Sequence, residues 1–225
     1  MKHQYFGDII DLFKFDLLAH TAMDLRLGGI TFIPMRTDND NTTEGSKRNY
    51  DKAKAGAKNK TLIEFLKGYE ELSKRDAKEI SKFFASIKVQ FKYCCDETFT
   101  HKGREIYFSK LLGSSFDNQL LFFDPDNGLQ VKNNKDKHLL FHEIESFLNV
   151  ICENSIIAVI QFRHRQDWKI TIQKKLEDIR KNVSPLVTYI ANDNIAFFMI
   201  TKSEKQLSNI QQSLTKYKSV YTTLI

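Results

Sequence analysis

Residues 120–130 read LLFFDPDNGLQ. Leu120, Leu121, Phe122 and Phe123 do not alternate with polar residues, which is the pattern of a strand covered on both faces, as in the parallel sheets of α/β proteins. Two carboxylates, a proline, an asparagine and a glycine follow at once. Ligands of open α/β sheets collect at the carboxyl ends of such strands, so Asp124, Pro125, Asp126 and Asn127 are the first candidates for a site. The same residue types are ordinary turn formers, and the choice between turn and site depends on what surrounds them.

On the N-terminal side, Asp8 to Arg26 carries apolar residues at helical spacing, opened by Gly7-Asp8 and stopped by Gly28-Gly29. Residues 30–37, ITFIPMRT, read as a strand, with Pro34 pointing to an edge position or a bulge. A polar, basic segment at about 38–60 is long for a connection and is expected to be mobile. Two helical patterns (Leu62–Tyr69 and Asp76–Ile87) lead to a strand at 89–95, and a short helix at Arg104–Leu112 leads to the opening stretch. Beyond it come a helix at His138–Cys152, a buried strand at 155–162 and an amphipathic helix at Gln166–Val183. Two strands then flank Asn192-Asp193-Asn194, a hairpin turn of the kind that tolerates positive φ, and a last helix runs from Ser203 to about Tyr217. Alternation of strand and helix up to a terminal hairpin predicts a three-layer, Rossmann-like α/β fold. Its sheet has about six strands, mostly parallel, with one antiparallel strand near the C-terminus.

At 225 residues the chain fits one α/β domain spanning 1–225. Its formal net charge of +6 is local: Ser46 to Lys92 holds 13 Lys and Arg against 6 Asp and Glu, and the remainder is close to neutral. A one-sided positive field favours a polyanionic partner, and solubility alone is the other use of such a surface. Three cysteines, two of them adjacent, form neither a disulfide framework nor a zinc-ligand spacing, which implies a reducing compartment. The start MKHQYFGDII lacks a signal-peptide core, and no run approaches ~18 apolar residues, so a cytoplasmic protein with no membrane partner is expected.

Taken in order, a buried strand closing in Asp124-Pro125, further strand–helix units and a hairpin whose second strand enters antiparallel resemble a Rossmann-like methyltransferase. More narrowly, GDIIDLFK at 7–14 resembles the leading helix of the rRNA adenine-N6 methyltransferase family, which begins with a Gly-x-x-Ala-Asp-x-x-Lys pattern and closes its catalytic strand in Asp-Pro-Pro-Tyr. Asp11 and Lys14 match the spacing of that Asp and Lys. The three-Cys-motif partner proteins likewise end the equivalent strand in Asp-Pro. The resemblance implies S-adenosylmethionine as cofactor, nucleic acid as substrate, and Gly7, Asp8, Asp11 and Lys14 facing the cofactor. Asp126-Asn127 replace the family's Pro and aromatic residue, and no Gly-x-Gly turn follows the first strand, so an altered or lost activity is a further expectation.

Three chemistries remain open. For methyl transfer, Asp124 and the Pro125 carbonyl would hold the protons of an acceptor amine, with Asn127 against a base edge. For metal-dependent phosphoester hydrolysis, Asp124, Asp126 and Asn127 form an oxygen-rich set suited to Mg²⁺ or Mn²⁺. In either case QFRHR at 161–165 opens at the end of the next strand, where His164 can act as general acid or base and Arg163 and Arg165 can clamp phosphate. Asp96, after the second strand, stands where Rossmann-like proteins place an acid for ribose hydroxyls. The third chemistry is binding without catalysis, in which Lys47, Arg48, Lys52, Lys54, Lys58 and Lys60 track a phosphate backbone. Each of these residues also has a plain structural reading: a surface ion pair for Asp11 and Lys14, a first-turn acid for Asp8, and a helix-capping loop for 163–167.

Overall fold

Strand and helix alternate along the computed structural model, which describes residues 2–40, 42, 47–95, 97–132, 137–163 and 167–225. Helix α1 (Ile9–Asp24) leads into β1 (Gly29–Met35), and α2 (Lys60–Lys67) and α3 (Ile80–Ser86) precede β2 (Phe91–Tyr93). Then follow α4 (Arg104–Leu112), β3 (Gln119–Pro125), α5 (Phe141–Val150), β4 (Ile156–Phe162), α6 (Trp168–Asn182), the hairpin β5 (Val187–Ala191) and β6 (Ile195–Ile200), and α7 (Glu204–Val220).

The strands stand in the order β2-β1-β3-β4-β6-β5. β1 pairs in parallel with β2 and β3, and β3 with β4, while β6 runs antiparallel to both of its neighbours. This is a Rossmann-like α/β sheet with its order reversing at β1/β3. That reversal is the switch point at which ligands of open α/β sheets bind.

Alternating side chains make two cores. Ile30, Phe32, Leu120, Phe122, Ala158 and Phe197 face α1, α2, α3 and α7, whereas Ile33, Leu121, Phe123, Val159 and Phe198 face α4, α5 and α6. The lack of alternation in LLFF follows directly, since both faces of β3 are covered. α1 is buried on nearly every side, from Asp11 through Ala22, and this places an aspartate and a lysine inside the protein. Among the described residues no helix is long and apolar enough to cross a membrane.

Two sequence expectations are corrected. β1 is an interior strand, so Pro34 marks no edge. Ile30, an even-numbered residue of β1, directs its N–H at β2 (to Gln90 O, 2.9 Å), and β2 has ended before Pro34 is reached, so the missing donor leaves no gap in the ladder. The 192–194 turn uses no left-handed residue. Asn192 Oδ1 instead accepts from the N–H groups of Asn194 (2.8 Å) and Ile195 (2.9 Å). Within the basic 38–60 segment, Tyr50, Ala55 and Gly56 are buried, and Gly56 packs on Leu12. A Cβ at Gly56, which has φ +80°, would lie 2.8 Å from the Leu12 side chain.

Candidate functional site at the carboxyl rim

Register decides which face Asp124 takes. It follows Leu120 and Phe122 in alternation, so its side chain turns toward α1. There Lys14 Nζ lies 2.8 Å from Asp124 Oδ2 and 2.7 Å from Asp11 Oδ1. Asp11 Oδ2 accepts the N–H of Gly7 at 2.9 Å, and Asp8 Oδ1 caps α1 by accepting from Ile10 and Asp11, both at 2.8 Å. Asp8, Asp11, Lys14 and Asp124 are exposed by 4, 3, 3 and 1%. The 7–14 motif and the Asp-Pro motif, 110 residues apart at Lys14 and Asp124, are therefore one continuous buried network.

Its electrostatics follow from three carboxyls sharing one buried ammonium. Burial pulls Lys14 down, but the charges of Asp11 and Asp124 outweigh it and raise the lysine above its ordinary value, so it stays charged. Burial, then the charge of Asp11, pushes the Asp8 carboxyl up to about 8. Holding the proton on Asp8 lowers the cost of burying three carboxyls against one ammonium.

Gly7 has φ +86°, in the left-handed region that favours glycine. Its carbonyl accepts from Arg48 Nη1 at 2.8 Å and from the Tyr50 hydroxyl, and Arg48 Nη2 donates to the Phe6 carbonyl. Arg48, expected on a phosphate-binding loop, instead clamps the turn that opens α1. Burial pushes the Tyr50 phenol up to about 12.

The rest of the DPDNG turn faces elsewhere. Asp126 accepts from the Thr37 hydroxyl at 3.0 Å and pairs with Lys137 at 3.1 Å, joining the loops after β1 and β3. The Pro125 carbonyl accepts the N–H of Gly128 at 3.4 Å, and the N–H of Asn127 goes to Lys137 O. Gly128, with φ +79°, sits where a Cβ would meet Gln161 Oε1 at 2.6 Å. Gln161 is fully buried on the opposite face of the sheet from Asp124; its Oε1 accepts from Leu129 N (2.9 Å) and its Nε2 donates to Phe162 O (2.8 Å). The turn is thus built from both sides.

This geometry corrects the metal alternative. Asp124 and Asp126 address different partners, and no group of three His, Cys, Asp or Glu side chains among the described residues can hold a metal ion. Asp96, His164 and Arg165 lie outside the described residues, as does the Lys52 side chain. Arg163 Nη1 and Lys54 Nζ both reach Asp193, at its carbonyl (3.2 Å) and its carboxylate (2.7 Å), so these two basic residues meet at the hairpin turn on the same rim. Lys47 is exposed, and its carbonyl accepts the N–H of Ile9. Lys58 lies 6.0 Å from the Tyr221 ring, and Lys60 begins α2. Much of the local positive excess is spent nearby, since Lys67, Lys74 and Lys82 each pair with a glutamate three residues before. Cys94 is buried, and burial pushes its thiol up to about 11, the state of an inert core residue.

Sequence reasoning missed Tyr50, Thr37 and the clamping role of Arg48. The trace they leave is slight: a glycine immediately before a helix cap, and isolated polar residues in loops.

The sequence matches no family model and no curated protein. Among solved structures, human methyltransferase-like protein 13 in complex with SAH is similar over 90% of this chain and 87% of that one, at 11% identity and a TM-score of 0.35. A superposition that loose carries no argument about this chain. The fold assignment rests on strand order, and the site on its own geometry.

Proposed function

We propose that this protein is a methyltransferase-like enzyme that uses S-adenosylmethionine and acts on an amino group of nucleic acid. The observation that carries the reading is Asp124 at the carboxyl end of β3, beside the switch point and joined through Lys14 to Asp11 and the Gly7 turn. S-adenosylmethionine, when bound, supplies an electrophilic methyl group on a sulfonium. The residues present fit such a ligand in one respect: buried Arg48 Nε has no hydrogen-bond partner among the described residues, beside the turn where α1 begins. Gly7, Asp8, Asp11 and Lys14 would border the donor.

Asp124 accepts a hydrogen bond from the acceptor amine through Oδ1, while Lys14 fixes Oδ2 and so fixes the plane of the carboxylate. Its contribution is orientation of the nitrogen lone pair. Asp126 and Thr37 hold the neighbouring loops together. Lys47 and Arg163 supply the contacts to phosphate.

The test is calorimetric titration with S-adenosylmethionine, followed by transfer of labelled methyl to total RNA and DNA. Asp124→Asn, checked for retained fold by circular dichroism, should abolish transfer and leave donor binding within a few-fold. A wild-type protein that binds no donor sinks the proposal. The burial of Asp124 favours a second reading, a fold relative that keeps the network for stability and binds nucleic acid without catalysis. Donor binding without transfer to any nucleic acid, together with salt-sensitive oligonucleotide binding, would select it.

A further inference from the structure

After β1 the chain continues Arg36-Thr37-Asp38-Asn39-Asp40, with no glycine to bring backbone N–H groups against an anionic ligand group. A donor with a charged amino-acid end therefore needs a side chain in that role. Arg48 has the required properties. Arg48 is half-buried, and its partners among the described residues are the carbonyls of Phe6 and Gly7, with the Tyr50 hydroxyl beside it. No carboxylate of the described residues lies within ion-pair distance of it. Its Nε is buried and without a partner.

A second guanidinium adds to the same field. Arg75 donates to the carbonyls of Gln4 (2.7 Å), Glu70 (2.6 Å) and Tyr69 (3.4 Å), and it too lacks a carboxylate partner among the described residues. Asp8, the N-cap of α1, accepts two backbone N–H groups, and burial and the charge of Asp11 push its carboxyl up to about 8. Lys14 is fully engaged by Asp11 and Asp124. A positive charge thus remains unbalanced at one end of the chain of contacts Arg48–Gly7–Asp11–Lys14–Asp124, whose other end is the proposed acceptor site.

We propose that Arg48 anchors the carboxylate of the donor's amino-acid moiety, in place of the glycine-rich turn this chain lacks. The proposal rests on the methyl-donor reading above and adds to it a residue that decides which part of the donor is recognised. A guanidinium matches a carboxylate with two parallel N–H donors.

The experiment compares two ligands on the full chain by calorimetry: S-adenosylhomocysteine, which has the amino-acid moiety, and methylthioadenosine, which does not. Arg48→Ala should weaken S-adenosylhomocysteine about 10- to 100-fold, the worth of a charge-assisted bond, and leave methylthioadenosine unchanged. Arg48→Lys should restore part of the loss. If Arg48→Ala lowers the melting temperature of the free protein, Arg48→Gln, which keeps a donor for the Gly7 carbonyl, takes its place.

Equal weakening of both ligands means that Arg48 only fastens the N-terminal turn, and overturns the proposal. Unchanged binding of S-adenosylhomocysteine with weakened binding of a single-stranded oligonucleotide reassigns Arg48 to phosphate and overturns it as well. A wild-type protein that binds neither nucleoside refutes the methyl-donor reading itself, a failure distinct from either of these.

Discussion

Asp8 couples folding to pH through a buried carboxyl. The folded protein holds its proton up to about pH 8, whereas the unfolded chain releases it near the ordinary value of 3.8. Its contribution to stability is therefore complete below about pH 4 and is lost as pH rises toward 8, at up to about 1.4 kcal/mol per pH unit. Asp8→Asn keeps the cap acceptor and removes the titration, so urea midpoints of the variant should fall less than those of wild type between pH 5 and pH 8.5. A parallel fall in both proteins would show that Asp8 is ionised in the fold. Lys14 makes the complementary case. Lys14→Met leaves two buried carboxylates unpaired and should cost about 3–5 kcal/mol in urea unfolding, and adding Asp124→Leu should recover part of that loss. The spacing of Asp11 and Lys14 is visible in the sequence, and a surface ion pair is its ordinary meaning. Only α1 being wrapped on all sides turns that pair into a buried partner for Asp124.

At the scale of elements, the close of β3 is fixed by groups on two other segments. Gly128→Ala would put a Cβ 2.6 Å from Gln161 in a backbone with φ +79°, and should lower stability by about 1–3 kcal/mol in thermal or urea unfolding. α4 and α5 share a second titrating contact, in which Arg104 Nε stands 2.9 Å from Glu143 Oε1 while Glu143 Oε2 accepts the N–H of Leu140. Burial pushes Glu143 up to about 7 despite the Leu140 N–H and Arg104. The stability it contributes is present below about pH 4.5 and is lost as pH rises through 7, a slope that Glu143→Gln should remove in melts taken from pH 5 to pH 8. The strands and helices themselves were legible, because apolar period and glycine punctuation mark them. The Asp-Pro turn was legible as a place, but not as a geometry: its carboxylates diverge because β3 ends at Pro125, so Asp126 follows the turn toward Thr37 and Lys137 instead of continuing the strand face that carries Asp124.

For the whole molecule, the basic excess predicts a polyanion partner, yet tertiary pairing leaves fewer lysines for it than composition implies. Lys54, Lys67, Lys74 and Lys82 are each matched with a carboxylate. Lys47 has no such match among the described residues, and Lys47→Ala should reduce the slope of log affinity for single-stranded nucleic acid against log salt by about 0.7, whereas Lys74→Ala should leave it unchanged. Equal effects of the two would mean a diffuse field rather than a track. The sequence by itself determined the α/β class, the number of strands and their succession along the chain, the antiparallel return of the last one and the rim where Asp124 lies, since hydrophobic period and turn chemistry are local properties of the chain. Tertiary structure alone decided that Lys14 reaches Asp124, that Arg48 grips the Gly7 turn and that Asp126 looks away toward Thr37. Those contacts join residues dozens to more than a hundred positions apart, and which side chains meet across such distances is set by register and by the packing of α1 on the sheet.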